Sequence, residues 1–379
     1  MSTPPTFRFE IAARETDGRA RRGRVHTPHG SFATPAFMPV GTKASVKGLQ
    51  IPDIESTGAE IILANTYHLH LRPGEDLVRD LGGLHRFMAW DRPILTDSGG
   101  YQVFSLSDLR RIDEDGVHFK SHLDGTPLFL SPRRAMEIQI ALGSDIIMSF
   151  DECLPYPAEY GYAERSVDRT SRWEEETLRY HPRDGRALFG IVQGGVHADL
   201  RRRSARQLLD LPFDGYAMGG LFVGEPREET MAVLDLVAGL IPETYPRYVM
   251  GVGTPLEVID CVILGWDMFD CVLPTRNARH GYAMHPAGMA NLKNLRFRTD
   301  DRPIQEDCDC LACTRHSRAY LRHLLMAREL LAQTLVTHHN LRFMQRTMEG
   351  LRRAIDEDRV ASFRAAFAER WSGPFPADA

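Results

Sequence analysis

The chain has 379 residues, with 46 Lys plus Arg against 51 Asp plus Glu and a net charge of −5. That balance excludes a generally basic nucleic-acid coat, and 43% hydrophobic with 26% charged residues excludes disorder, collagen and coiled coil. No stretch approaches the roughly 20 apolar residues of a membrane helix, and Met1 to Glu10 lacks the basic-then-apolar order of a signal peptide, so a cytoplasmic protein without a membrane partner is expected.

In chain order, residues 7 to 34 read as an N-terminal antiparallel hairpin or meander with HTPHG as its turn. Eight short apolar runs follow, each ending in polar or glycine residues: PAFMPVGT (35–42), EIILANT (60–66), PILTDSGG (93–100), DIIMSFDE (145–152), LFGIVQGG (188–195), GYAMGGL (215–221), YVMGVG (248–253) and DMFDCV (267–272). Residues 101 to 130 form a long strand-like insertion with a turn signal at Asp124-Gly125. Helices lie between the runs: 131 to 143 starts with Ser131 as N-cap and Pro132 in the first turn, and 226 to 240 carries Val233, Leu236, Val237 and Leu240 on one stripe.

Eight strand-helix alternations predict an α/β fold, an irregular (β/α)8 barrel, with a doubly wound open sheet as the alternative. In either, function belongs at the strand carboxyl ends, which here present Asn65, Asp97, Asp151, Gln193, Gly219 with Gly220, Gly251 with Gly253, and Asp270. From about 274 the alternation is lost. The expected division is therefore a barrel over 1–273 completed by C-terminal helices, a subdomain over 274–350 that carries the cysteine cluster, and a helical tail over 351–379.

Cys308, Cys310 and Cys313, followed by His338 and His339, supply three thiolates and an imidazole, the ligand set of a closed structural Zn²⁺ site. Spacing leaves His338, His339 and the nearer His316 open as the fourth ligand. Asp97 and Asp270, on the third and eighth strands, suit a double displacement at an anomeric carbon, although each could simply cap a loop or hold an arginine. Asp151, Gln193 and the backbone of Gly219, Gly220 and Leu221 offer donors and acceptors for a flat heterocycle, with Tyr101 and Met250 placed to sandwich it. Those two residue types are also ordinary core, and Glu225, which could read a base edge, could equally be a solvated helix start. The run from Pro274 to Gly281 places Arg276, Asn277 and Arg279 beside Asp270, a local basic loop suited to a phosphate backbone. Further arginines across the C-terminal half favour an anionic polymer docked there, with a solvated helix face as the plain alternative.

In sequence order, TDSGGYQVFSL, SFDECLPYP, IVQGG, GYAMGGLFVGE, YVMGVGTP, FDCVLPTRNARHG, CDCLAC and THHNLRF closely resemble bacterial tRNA-guanine transglycosylase of the queuosine pathway, from about residue 8 to about 370. The resemblance implies an irregular (β/α)8 TIM barrel with an inserted zinc-binding subdomain and one structural Zn²⁺ per subunit, working as a homodimer. It also implies exchange of guanine at the wobble position of a tRNA with a GUN-type anticodon for 7-aminomethyl-7-deazaguanine. By the same resemblance Asp270 is the nucleophile, Asp97 binds the base and manages protons, and Asp151, Gln193, Gly220 and Leu221 read the base. Tyr101 and Met250 stack on it, Glu225 tracks changes at the pocket edge, Arg276 and Arg279 contact RNA, and His339 is the zinc ligand.

Cys153 and Val223 resemble the bacterial pattern, whose pocket admits the small aminomethyl base, and a chain ending near 379 leaves no room for the extra RNA-binding domains of archaeal enzymes. Tyr101, Leu154 and Phe222 depart from the family pattern. Two rivals remain: a zinc-stabilised RNA-binding protein with an inactive barrel, and a retaining N-glycosidase that gives the intermediate to water.

Overall fold

The protein is described by a computed structural model over residues 7–106 and 110–371; positions 107–109 of the expected insertion, 372–379 of the expected tail and the start of the Met1 to Glu10 segment lie outside the described residues. Eight parallel strands follow one another around a ring: β1 (Ala36–Met38), β2 (Ile62–Ala64), β3 (Ile94–Thr96), β4 (Ile146–Met148), β5 (Ala187–Val192), β6 (Gly215–Met218), β7 (Arg247–Val249) and β8 (Met268–Asp270). β8 pairs with β1 from Met268↔Ala36 to Asp270↔Met38, and the bridge Val40↔Leu63 joins β1 to β2. The sheet therefore closes into a barrel, and the open-sheet alternative is set aside.

Alternation along the strands explains the packing. Met38, Leu63, Leu95, Met148, Phe189, Ala217, Tyr248 and Met268 share a core with Val25 and Phe32 of the N-terminal sheet. The intervening Phe37, Ile62, Ile147, Leu188, Tyr216, Val249 and Phe269 join the larger core against the helices. This period of two fills the barrel with side chains. The N-terminal sheet, Arg8–Arg14, Arg21–Thr27 and Gly30–Thr34, is the expected meander, and its last turn pairs Thr27 with Gly30.

That sheet is clasped to the strand starts by buried charges. Asp267, just before β8, receives Arg21 Nε at 2.9 Å, Arg21 Nη2 at 2.6 Å and the Arg247 amide at 2.8 Å. Arg21→Ala would strand an enclosed carboxylate, so urea unfolding should show a loss of about 3–5 kcal/mol; a loss below about 1 kcal/mol would refute the clasp as a major stabiliser. Asp145, just before β4, similarly binds His29 Nδ1 at 2.8 Å and His85 Nε2 at 3.0 Å. The two imidazoles stack at 3.6 Å with planes 16° apart. Ring nitrogens bond in their ring planes, so near-parallel stacked rings do not converge on one ion, and this trio is a clasp.

Helix Pro132–Leu142 begins as the sequence predicts, with the Ser131 hydroxyl accepting from the Arg134 amide at 3.1 Å. The insertion opens with a helix, Gly100–Leu106, before its strands Arg111–Ile112, Val117–Lys120 and Pro127–Leu130. After β8 come helix Leu273–Arg279, the antiparallel pair Tyr282–His285 and Gly288–Asn291, and helices Leu311–Arg315, Arg318–Ala327, Leu330–Asp356 and Val360–Trp371. The 27-residue helix Leu330–Asp356 runs unbroken past position 350 and reaches back to β1, where Gln345 Nε2 donates to Phe37 O at 2.9 Å and Arg352 Nη1 to Pro35 O at 2.7 Å. Among the described residues no helix is long and apolar enough to cross a membrane.

Candidate active site at the barrel mouth

The strands are shorter than the apolar runs because each run's polar tail leaves the ladder and bonds sideways. Asp97 follows β3 and is nearly enclosed. Its Oδ1 accepts from the Thr66 amide at 2.8 Å, and its Oδ2 from Asn65 Nδ2 at 2.5 Å and Gln102 Nε2 at 2.7 Å. Burial pushes its pKa up to about 6, the hydrogen bonds oppose that, and the nearby Asp270 charge adds to it.

Asp270, the last residue of β8, is held differently. Tyr248 OH donates to Oδ1 at 2.6 Å and the Gly251 amide to the same oxygen at 2.9 Å. No hydrogen bond reaches Oδ2 among the described residues. Burial raises this pKa too, with Tyr248 and Gly251 pulling it back. Tyr248 was not singled out in the sequence because it sits mid-strand among apolar neighbours, where an aromatic reads as core.

Between β4, β5 and β6 the residues expected to read a base meet. Gln193 Nε2 donates to Asp151 Oδ2 at 2.6 Å and Ser98 Oγ to Asp151 Oδ1 at 3.2 Å. Burial lifts Asp151 to about 6. Gln193 Oε1 is buried without a partner among the described residues. A Cβ on Gly219 would lie 2.6 Å from Gln193 Nε2, and one on Gly220, at φ +65°, 2.5 Å from Gln193 Oε1, so only glycine lets the main chain approach that amide. Leu221 is buried beside it. Arg201, which sequence reading missed, sits beneath: its Nη1 donates to Val192 O at 2.7 Å and Gly219 O at 2.9 Å, binding the ends of β5 and β6 together.

The flanking residues divide. Tyr101 is 50% exposed on the insertion helix, on the side of the barrel mouth near Cys153 past β4 and Cys271 and Arg276 past β8. Met250, half-buried, packs against the barrel interior. Glu225 turns back on its own loop, accepting from the amides of Phe222 at 2.5 Å and Val223 at 2.9 Å and from Thr230 Oγ1 at 2.9 Å. Phe222 adopts φ +58°, a left-handed conformation costly for a bulky side chain and held by that carboxylate.

Arg276 is exposed and Asn277 and Arg279 are half-buried on helix Leu273–Arg279. Arg279 Nη1 has no hydrogen-bond partner among the described residues. Burial lowers the pKa of Lys47, and then the charges of Arg279, Lys43 and Arg276 lower it further, so four cations gather between the ends of β1 and β8. The two lysines in GTKASVK were legible as a pair but not singled out.

The cysteine cluster is closed. His339 Nδ1 lies 3.7, 3.4 and 3.3 Å from the sulfurs of Cys308, Cys310 and Cys313, and all four residues are buried. A tetrahedral ion with bonds of about 2.3 Å to sulfur and 2.0 Å to nitrogen separates such atoms by about 3.5 Å, so the set fits a metal ion. His339 Nε2 meets Met284 O at 2.7 Å, which leaves Nδ1 as the ligand atom. His338 points instead to Ser56 Oγ at 2.7 Å, and His316 stacks on Tyr320.

The family described as queuine tRNA-ribosyltransferase matches residues 16–373. The queuine tRNA-ribosyltransferase of Bacillus subtilis (strain 168) is 57% identical over 366 residues, 96% of this chain and 96% of the relative. That of Listeria innocua serovar 6a is 55% identical over 366 residues, 96% of this chain and 97% of the relative. Likeness of this degree runs across nearly the whole length, through the barrel, its mouth and the cysteine cluster, and places the chain in the queuine tRNA-ribosyltransferase family.

Proposed function

We propose that the protein exchanges guanine at the wobble position of a tRNA with a GUN-type anticodon for 7-aminomethyl-7-deazaguanine, through a covalent link between Asp270 and ribose. The supporting observation is the contrast between two carboxylates: Asp97 is bonded through both oxygens, whereas Asp270 is gripped by Oδ1 alone and keeps Oδ2 free. Asp270 Oδ2 attacks C1′ and the C1′–N9 bond breaks, guanine leaving with the electron pair and a proton from Asp97. The incoming base returns a proton to Asp97 and attacks C1′, releasing the carboxylate. Two inversions retain configuration, and a pKa of about 6 suits Asp97 to carry a proton in both directions near neutrality.

Asp151, Gln193, Gly220 and Leu221 read the flipped base, with Gln193 Oε1 as a vacant acceptor, while Tyr101 and Met250 stack and Glu225 holds the pocket edge. Cys153 and Val223 match the pattern whose pocket admits the small aminomethyl base, and Phe222 departs from it on the same loop as Val223. Arg276, Asn277 and Arg279, with Lys43 and Lys47, grip the RNA backbone. Arg279→Ala should raise the tRNA KM, leave kcat unchanged and cut the salt slope of binding by about one; an unchanged slope removes that role.

The metal is Zn²⁺, one per subunit and structural. The catalytic barrel comprises 1–273 with the C-terminal helices, the RNA-facing zinc subdomain 274–350 and the tail 351–379. Met326 and Leu330, 56% and 76% exposed at the junction of two subdomain helices, are apolar surface that a second copy would cover, supporting a homodimer. A tRNA substrate sets the reaction in the cytoplasm.

The test is labelled guanine incubated with unmodified tRNA bearing a wobble G, followed by a 7-aminomethyl-7-deazaguanine chase. Incorporation displaced irreversibly by the chase is expected. Free guanine released without incorporation would make the protein a hydrolase, and neither signal would leave an RNA-binding protein.

A further inference from the structure

One enclosed carboxylate takes no part in that chemistry. Glu174 lies on the buried face of helix Tyr160–Tyr180, and its Oε1 accepts from Ser149 Oγ at 2.9 Å and from the Ile191 amide at 2.6 Å. Its Oε2 has no partner among the described residues, and burial raises its pKa well above the ordinary carboxylate value. One turn earlier on the same face, Thr170 Oγ1 accepts from the Glu152 amide at 3.2 Å.

These bonds fall where the β4–β5 ladder ends. The strands pair as far as Met148↔Phe189, and the Ser149 amide still reaches Phe189 O at 2.9 Å. Regular parallel pairing would next give the Ile191 amide to Ser149 O. That amide goes to Glu174 instead, so a helix side chain replaces one rung of the sheet. Two residues beyond Ser149 stands Asp151, two beyond Ile191 stands Gln193, and the two side chains meet at 2.6 Å.

We infer that Glu174 is a positioning residue for base recognition, a wedge between the ends of β4 and β5 that sets how Asp151 and Gln193 face the bound base. The inference rests on the reading that those two residues bind it. Steady-state exchange by wild type, Glu174→Gln, Glu174→Ala and Ser149→Ala, with the KM of base and of tRNA measured separately, tests it. Gln keeps an accepting oxygen for the Ile191 amide and nearly the volume of the carboxyl, so its base KM should stay within about threefold of wild type. Glu174→Ala leaves the Ile191 N–H without an acceptor and should raise the base KM about tenfold, with kcat and tRNA KM moving less than about threefold. If that variant does not fold, Ser149→Ala, which removes one bond without opening a cavity, should raise the base KM about threefold. An unchanged base KM in the folded variants overturns the inference, as does a joint loss of all three parameters that Gln fails to rescue. A wild type that exchanges no base overturns the functional reading and this inference with it.

Discussion

Replacing Asp270 by Ala should lower base exchange by about 10⁴-fold or more, because no second group can supply the covalent step. The carboxylate is half-buried, and the bonds from Tyr248 and the Gly251 amide to Oδ1 aim it and oppose the rise in pKa that burial causes. Wild type should give a protein–RNA band that survives a denaturing gel, and the variant none. Tyr248→Phe removes one of the two aiming bonds and should cost about tenfold in kcat with little change in the tRNA KM. If Asp270→Ala exchanges guanine within tenfold of wild type, the double displacement is wrong. Asp97→Asn offers the complementary result: it keeps much of the hydrogen-bonded frame around Asn65, Thr66 and Gln102 but cannot carry a proton, so it should lose turnover while still binding tRNA.

Stripping the metal should unfold the C-terminal subdomain. Structural zinc sites contribute about 10–16 kcal/mol of apparent binding energy, which with zinc bound at the cysteine cluster would go into holding the chain after β8. Four buried ligands would leave a bound ion no open position for water, so the proposed ion would supply order and not chemistry. Chelation, or Cys310→Ser, should lower the melting temperature and remove one zinc per chain, with activity falling in step with folded protein. Equal melting with and without metal, or activity lost from a fully folded apoprotein, would sink the structural assignment.

The barrel and its mouth were legible because the signals are local. Apolar runs ending in Asp97, Asp151, Gln193 and Asp270 mark strand ends, and Ser131-Pro132 marks a helix start. The fourth metal ligand was not legible from spacing, since His316, His338 and His339 all reach; the choice depends on which face of helix Leu330–Asp356 meets the cysteines. The helix Gly100–Leu106 was missed because YQVFSL has strand composition, and packing overrode propensity. Tyr248, Arg201 and Glu174 were invisible for another reason. Each acts on backbone or side chains from a different strand or helix, and no pattern along the chain announces such a meeting.

The contacts from the long helix back to β1 span 308 residues from Gln345 to Phe37 and 317 from Arg352 to Pro35. A ribosome therefore makes the first barrel strand long before the helix that braces it. Until that helix emerges, β1 must wait with Phe37, which packs in the core shared with Leu341, Met344 and Met348 of the helix, unsheltered. Contacts of such sequence separation fold slowly and leave nascent chains open to aggregation. Truncations that spare every mouth residue but remove the far end of the helix should then appear as insoluble nascent protein, with the defect located at the beginning of the chain.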